Sequence, residues 1–412
     1  MNTYIEILKS LWQPFSQLWW IILPVAFYYL FKVAWADFIK DTWANSLEWT
    51  MLEVIPPNEL ERGPKPMEVI FMALSGVVVT FNCFEEWLQG KYTDKFSFEL
   101  VSLGGEIHYY IRVQKKLKTL VESQVYAQYP GAEVFEVDDY IKKFPLVIPN
   151  KDWDAWGSDI ILSQPDPFPI RTYDKFEEDI TGTMVDPMAG FLELFASISP
   201  GQNLLWQMVV SPLPETWRKE QMKQVQKLAG RDTGDKRTIL DDFLDVLSNI
   251  FAGLWGPVEF ATTAKKSDQP LAFRLTPMES ETLKGLETNL SKNFYKVKMR
   301  FLSVGKRENF DGALPTIFFG VLRQFNDLNS NNLRPDNTKT TAHFIATDAR
   351  AQTMKRRLFN RYRKRNTDGN TVALSTTEFA TIYHFPDMGV ITPAVPRVES
   401  KKGTPPFNLP IE

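Results

Sequence analysis

Cysteine occurs once in this 412-residue chain, at Cys83. A single thiol forms no intramolecular disulfide, so the bulk of the chain is expected in a reducing compartment. Histidine is nearly as scarce. His108, His343 and His384 stand far apart, whereas a zinc site needs four such ligands at close spacing. There is no P-loop either. The nearest string runs from Gly230 through Gly234 to Lys236 and lacks the spacing and the preceding apolar strand of a phosphate cradle. The adjacent acidic pairs Glu85-Glu86, Asp138-Asp139 and Asp241-Asp242 point to different faces and read as solvated surface. His384 lies near Tyr383 and Asp387, but nothing beside it supplies a nucleophile. A large excess of one charge is also missing. The net charge is −3 with 24% charged residues, which excludes a surface basic all over and leaves room for a local patch. These absences argue against an enzyme: no catalytic residue, cofactor or metal is expected.

What is present begins with residues 15–35, which carry a single charge, Lys32. About 20 apolar residues span a hydrocarbon core. Trp19, Trp20, Tyr28, Tyr29 and Trp35 crowd the ends of this stretch, where amphipathic rings favour the headgroup level. Lys32 has the length to snorkel to the interface. The stretch predicts a single-pass membrane anchor, with a buried helix, a surface helix and a signal peptide as the other readings. Against a signal peptide, no small-residue cleavage site follows. The distribution of Lys and Arg mildly favours a cytoplasmic location for the large C-terminal part.

Residues 36–54 still read as helical, until Ile55-Pro56-Pro57 stops them. Residues 67–79 predict a buried helix. Residues 96–103 and 106–113 alternate around Gly104-Gly105, the mark of a β-hairpin. Residues 115–129 predict a helix and 132–137 a strand. This order suits a ferredoxin-like module with both helices on one face of the sheet. Residues 142–171 look irregular, with a strand at 159–162. Helices at 187–199, 214–228, 276–290 and 312–325 then alternate with strands at 203–210 and 294–304. A further amphipathic helix at 237–251 reads as part of an insertion. Ser375 and Glu378 have capping-box spacing, as do Thr276 and Glu279. The expected fold is α+β: an N-terminal transmembrane helix and juxtamembrane helix (1–57), a first ferredoxin-like module (58–150), a second with a helical insertion (151–390), and a Pro-rich tail (391–412).

One patch rises above background. Lys355, Arg356, Arg357, Arg361, Arg363, Lys364 and Arg365 fall within eleven residues, with Leu358, Phe359 and Tyr362 as the apolar anchor of a helix. Such a patch contacts nucleic-acid phosphates, anionic lipid or an acidic protein surface, or merely keeps the chain soluble. Only Tyr362 is well placed to stack on a base.

Several strings resemble a family of bacterial proteins. They are residues 85–139, 198–212, FFGVLRQFNDLNSNNLRPD at 318–336, KRRLFNRYRKR at 355–365, and LSTTEFATIYHFP at 374–386. The chain is similar to the N-terminal region of membrane-anchored proteins of type IV secretion or conjugation systems in candidate-phylum bacteria. Longer members continue into a P-loop motor domain. This sequence ends at Glu412 without one, so no ATP hydrolysis carries over. The resemblance implies a non-catalytic membrane subunit of a DNA-transfer apparatus, a homo-oligomer that docks a P-loop ATPase on a separate chain. The alternative is a lipid-binding membrane scaffold with no role in transport.

Overall fold

The computed structural model describes residues 2–57, 63–79, 81–176, 186–228, 277–336, 347–387, 390 and 394–397. Alternation of period two builds most of it. Nine strands form a single antiparallel sheet: β1 (Trp49–Ile55), β2 (Phe96–Leu103), β3 (Glu106–Gln114), β4 (Glu133–Val137), β5 (Trp153–Leu162), β6 (Gln202–Pro212), β7 (Phe294–Lys306), β8 (Leu333–Pro335) and β9 (Val372–Ser375). Their spatial order is β4-β1-β3-β2-β6-β7-β5-β8, and β9 extends the β5 side of β7.

The fold is therefore mixed α+β, as expected, but not two ferredoxin-like modules. β2 pairs with β6 over the whole of its length, from Phe96↔Val210 to Leu103↔Asn203, and the two halves become one sheet. Left apart, both strands would expose unpaired edges lined with Phe, Leu, Trp and Met. The order β4-β1-β3-β2 is mirrored as β8-β5-β7-β6 across that seam.

The helical reading of 36–54 also needs correction. Helix α1 (Asn2–Ser46) ends at Ser46, and Trp49–Ile55 is a strand paired with both β3 and β4. Leu52 and Val54 join one side of the core and Met51 the other, so tertiary pairing overrides a locally helical pattern. The strand expected at 159–162 begins six residues earlier, at Trp153. In the β2–β3 hairpin Gly104 and Gly105 have φ of 64° and 104°, a pair of positive values that glycine adopts without a Cβ penalty. The proposed helix at 237–251, Thr276, His343 and residues 401–412 lie outside the described residues.

Helices α2 (Lys65–Ser75), α4 (Lys118–Gln128), α5 (Ala189–Ala196), α8 (Leu314–Leu322) and α10 (Thr376–Ile382) cover one face of the sheet. Between α2 and α4 lies the short α3 (Cys83–Leu88). Rings dominate this core. Phe318 stacks on Phe301 at 3.7 Å between centroids, and Phe71 on Phe379 at 4.1 Å. The capping box of α10 forms as expected: Ser375 accepts from the Glu378 amide, and Glu378 from the Ser375 amide. Helices α6 (Glu215–Leu228) and α7 (Pro277–Leu290) pack together over Phe294 and Ala373 at one end of β7 and β9.

The opposite face carries α9 (Thr347–Arg363), the basic helix, together with the turn Tyr140–Lys143. Leu358, Phe359 and Tyr362 are buried here, as their spacing predicts. Gly157 on β5 makes the seat for α9. A Cβ there would lie 2.5 Å from the Phe301 carbonyl and 2.9 Å from Leu358 Cδ2.

Among the described residues no helix is long and apolar enough to cross a membrane. The side chains of residues 2–19, 21 and 22, including Trp19, lie outside them, so the apolar stretch of α1 is covered only in part. The described part is open. Trp20, Tyr28 and Tyr29 are about 60% exposed, Leu23, Val25, Phe27, Leu30, Phe31 and Val33 are also exposed, and so is Lys32. From Trp35 onward α1 meets the body. Trp35 Nε1 donates to the Trp87 carbonyl at 3.0 Å. Ile39 presses against Gly90, whose φ is 64° and where a Cβ would lie 2.4 Å from the Ile39 carbonyl.

Candidate functional site

Strand alternation sends one residue in two to the face beneath α9, and on the central strands many of these are polar. The register aligns them in a row: Glu53 on β1, Tyr110 on β3, Glu99 on β2, Gln207 on β6, Arg300 on β7 and Asp159 on β5. Their neighbours Phe98, Leu100, Trp206, Met208, Met299 and Phe301 point into the aromatic core.

Most of this row is closed to solvent. Glu99 accepts from Arg365 Nε at 3.0 Å, Gln207 Nε2 at 3.1 Å, and the hydroxyls of Ser97 and Tyr140. Arg365 also forks onto Asp139. Burial pushes the Glu99 and Asp139 carboxyls up, but Arg365 outweighs it and both lie below their ordinary values. Burial alone would lower the Arg365 guanidinium, yet Glu99 and Asp139 hold it well above its usual range. Arg365 sits at φ 49°, a left-handed conformation unusual for a side chain of its size. Across the seam, Asp159 accepts from Arg300 Nε at 2.8 Å and lies 2.7 Å from Lys298 Nζ. Burial depresses both cations, although Asp159 counters it. Arg112, half-buried with its guanidinium over the Trp49 ring at 4.3 Å, is lowered to about 10 by the loss of water. These charges neutralise one another inside the protein and are not offered to a ligand.

The seven basic residues of the patch therefore divide. Arg365 is structural. Lys355 is half-buried, and its Nζ donates to Asp154 at 2.7 Å. Arg363 donates to the Leu146 carbonyl and to Asn360, each at 3.3 Å. Arg356, Arg357 and Lys364 are exposed, with no ion-pair partner among the described residues, and Arg361 is half-exposed beside them. Positions 356, 360 and 364 follow one another at one turn each, as do 357 and 361, so these cations share the outward face of α9.

Two residues remote in sequence complete this surface. Lys151 and Arg307 line a cleft of about 430 Å³ with Val147, Pro149, Asn150, Gln352 and Arg356. No local motif announces them. Lys151 follows Pro149-Asn150 and Arg307 comes directly after the longest strand, and only tertiary packing brings them to Arg356. Arg307 Nε donates to the Asn150 carbonyl at 3.0 Å. Asn150 Oδ1 in turn accepts from the amides of Asp152 and Trp153.

Three further ionisable clusters lie on the helical face. His384 is fully buried, with Nε2 2.9 Å from Asp186 Oδ1 and Nδ1 2.8 Å from the Ala380 carbonyl. Burial raises the Asp186 carboxyl, but His384 and the amides of Asp387 and Met188 bring it below its usual value. Glu378 is pushed up to about 7 by burial, although the amides of Ser375 and Ile170 and the Asn289 side chain oppose this. Glu68 accepts from Tyr173, Thr377 and Lys292. None lines the cleft formed by Lys151, Arg307 and Arg356. Their hydrogen bonds fasten α10 and the residues after it to α2, to residues 167–173 and to residues 186–188. Among the described residues no group of three or more His, Cys, Asp or Glu is arranged to hold a metal.

Fold and surface together define a class: an α+β protein whose open polar surface is a basic helix on a broad sheet, with an exposed apolar helix at its N-terminal side. Residues 44–397 match the family described as a domain of unknown function, DUF8128, and the chain belongs to that family. The match begins in the last turn of α1, leaving the apolar part of that helix outside it. No curated protein matches the chain.

Proposed function

We propose that this protein is a non-catalytic, membrane-tethered docking subunit whose basic face contacts a polyanion, DNA first among them. The carrying observation is the pairing of two open surfaces. One is the run of exposed apolar side chains on α1 and the other the outward basic face of α9. A contiguous exposed apolar surface of this kind marks a membrane or partner contact. Single-pass anchoring in the cell membrane with a cytoplasmic body fits the apolar stretch of α1. A tether of this kind raises the effective concentration of whatever docks to the body.

The transport setting rests on the sequence resemblance. In that setting the protein is a homo-oligomeric part of a type IV secretion or conjugation apparatus and docks a P-loop ATPase carried on another chain. A lipid-binding scaffold is the second reading, because anionic headgroups also suit the basic helix.

The test is the full chain in detergent micelles, titrated with duplex DNA at several salt concentrations. Replacing Arg356, Arg357, Arg361 and Lys364 by Gln should weaken binding at least tenfold and flatten the dependence of log K on log salt. Unchanged DNA binding removes the nucleic-acid role. Loss of binding to phosphatidylserine vesicles, with DNA unaffected, moves the reading to the scaffold.

A further inference from the structure

We propose that the cleft lined by Lys151, Arg307 and Arg356 is a discrete phosphate-binding site at the edge of the basic helix face, with which it shares Arg356. Three observations carry this. First, the lining holds three cationic side chains and the amides of Asn150 and Gln352, with no carboxylate among them. Second, the half-buried acid beside the cleft is already occupied. Asp154 receives Lys355 at 2.7 Å and lies 3.6 Å from Arg307 Nη1. Arg356 and Lys151 have no ion-pair partner among the described residues, and the exposed Asp152 and Glu308, each next in sequence to a cation of the cleft, are its acidic neighbours. Third, the site is pre-formed. Arg307 is fixed on the Asn150 carbonyl, and its backbone amide donates to the Asp152 carbonyl at 2.9 Å.

A cleft of about 430 Å³ is larger than a carboxylate requires. Converging guanidinium and ammonium groups suit a compact, multiply charged oxyanion with several acceptor oxygens. Val147 and Pro149 supply the apolar part of its lining.

Register also bears on the source of the phosphate. The cleft sits where β5 begins and β7 ends, at Trp153↔Lys306. The junction with α1 is at the other end of the sheet, where Trp49 faces Gln114 and Phe96 faces Val210. Headgroups of the bilayer that holds α1 are therefore a poor match for the site. A nucleic-acid strand is a better one, since Arg356 on the cleft rim starts the row that continues through Asn360 to Lys364. Only this last step rests on the docking reading above; the phosphate site itself does not.

The experiment uses the full chain in detergent with two probes: inorganic pyrophosphate by calorimetry and a labelled duplex by anisotropy. The variants are Lys151→Gln/Arg356→Gln in the cleft and Arg357→Gln/Lys364→Gln outside it. All four positions are exposed, and circular dichroism checks the fold. The expected result is saturable pyrophosphate binding, weakened at least tenfold by the cleft pair and kept by the outer pair. A matching drop of about 0.9 in the DNA salt slope for the cleft pair assigns the phosphate to nucleic acid. Pyrophosphate loss with an unaltered DNA slope keeps the site, with a soluble phosphoanion as its ligand. If DNA binding is then also indifferent to the outer pair, the docking reading loses DNA while the site stands. No saturable pyrophosphate binding, or equal binding by the cleft pair and the parent, overturns the proposal.

Discussion

The two faces of the sheet are built from the same strands and held by different physics. Phe98, Trp206, Met299 and Phe301 look one way, into rings packed against five helices. Glu99, Gln207 and Arg300, one residue along, look the other way, into a buried ladder of charge beneath one helix. The aromatic face is forgiving in kind, because any apolar group of similar size still gains from burial. The charged face is forgiving only in pairs, because a single deletion leaves its partner desolvated and alone.

The largest expected effect tests that asymmetry. Arg365→Met should cost about 3–5 kcal/mol of stability in urea denaturation, because Glu99 is left buried without its cation. The double variant Glu99→Gln/Arg365→Met should be more stable than the single one. If the two are equally stable, Glu99 does not depend on Arg365 and the contrast between the faces fails.

Phe318→Ala on the aromatic face should cost a similar amount, about 3–5 kcal/mol, so pH is what separates the two. Glu99 and Asp139 titrate below their ordinary values of 4.5 and 3.8. Their contribution is therefore complete above those values and is lost as pH falls through the depressed ones. In Arg365→Met the same burial raises Glu99 instead. The gap between Arg365→Met and the parent should narrow between pH 7 and pH 3, while the gap for Phe318→Ala stays constant. Parallel curves for both variants would show that the ladder contributes no net charge pairing.

A smaller effect probes the contact between α9 and the sheet. Gly157→Ala places a methyl against the Phe301 carbonyl and Leu358, and should cost about 1–3 kcal/mol by overpacking. Calorimetry on this variant would register a lowered Tm, and an unchanged Tm would mean that α9 sits more loosely than its contacts indicate. The smallest effect is on stability at the outer cations. Arg357→Gln and Lys364→Gln should each stay within about 0.5 kcal/mol of the parent, and a larger loss would mean that the open face is partly structural.

How much of this was legible beforehand follows the same division. Wherever alternation or capping chemistry is local, the reading holds: the Gly104-Gly105 hairpin, the Ser375–Glu378 capping box, the β7 strand, and the Leu358/Phe359/Tyr362 anchor of the basic helix. It fails where the deciding partner is distant. Trp49–Ile55 carries a helical pattern, but β3 and β4 claim both its edges. The seam between β2 and β6 has no sequence mark, since a strand gives no sign of whether its edge will be covered. The basic patch was visible as an anchored helix, but not the separate roles of its cations. That Arg365 turns inward, while Lys151 and Arg307 arrive from elsewhere to join Arg356, depends on contacts more than 40 residues apart.

The seat that Gly157 makes for α9 also sets the thermodynamics of any encounter. With the helix already lodged on the sheet, its cations are ordered before a ligand arrives. Binding there requires no coupled folding, and its heat-capacity change should be small beside that of a basic tail that orders on contact.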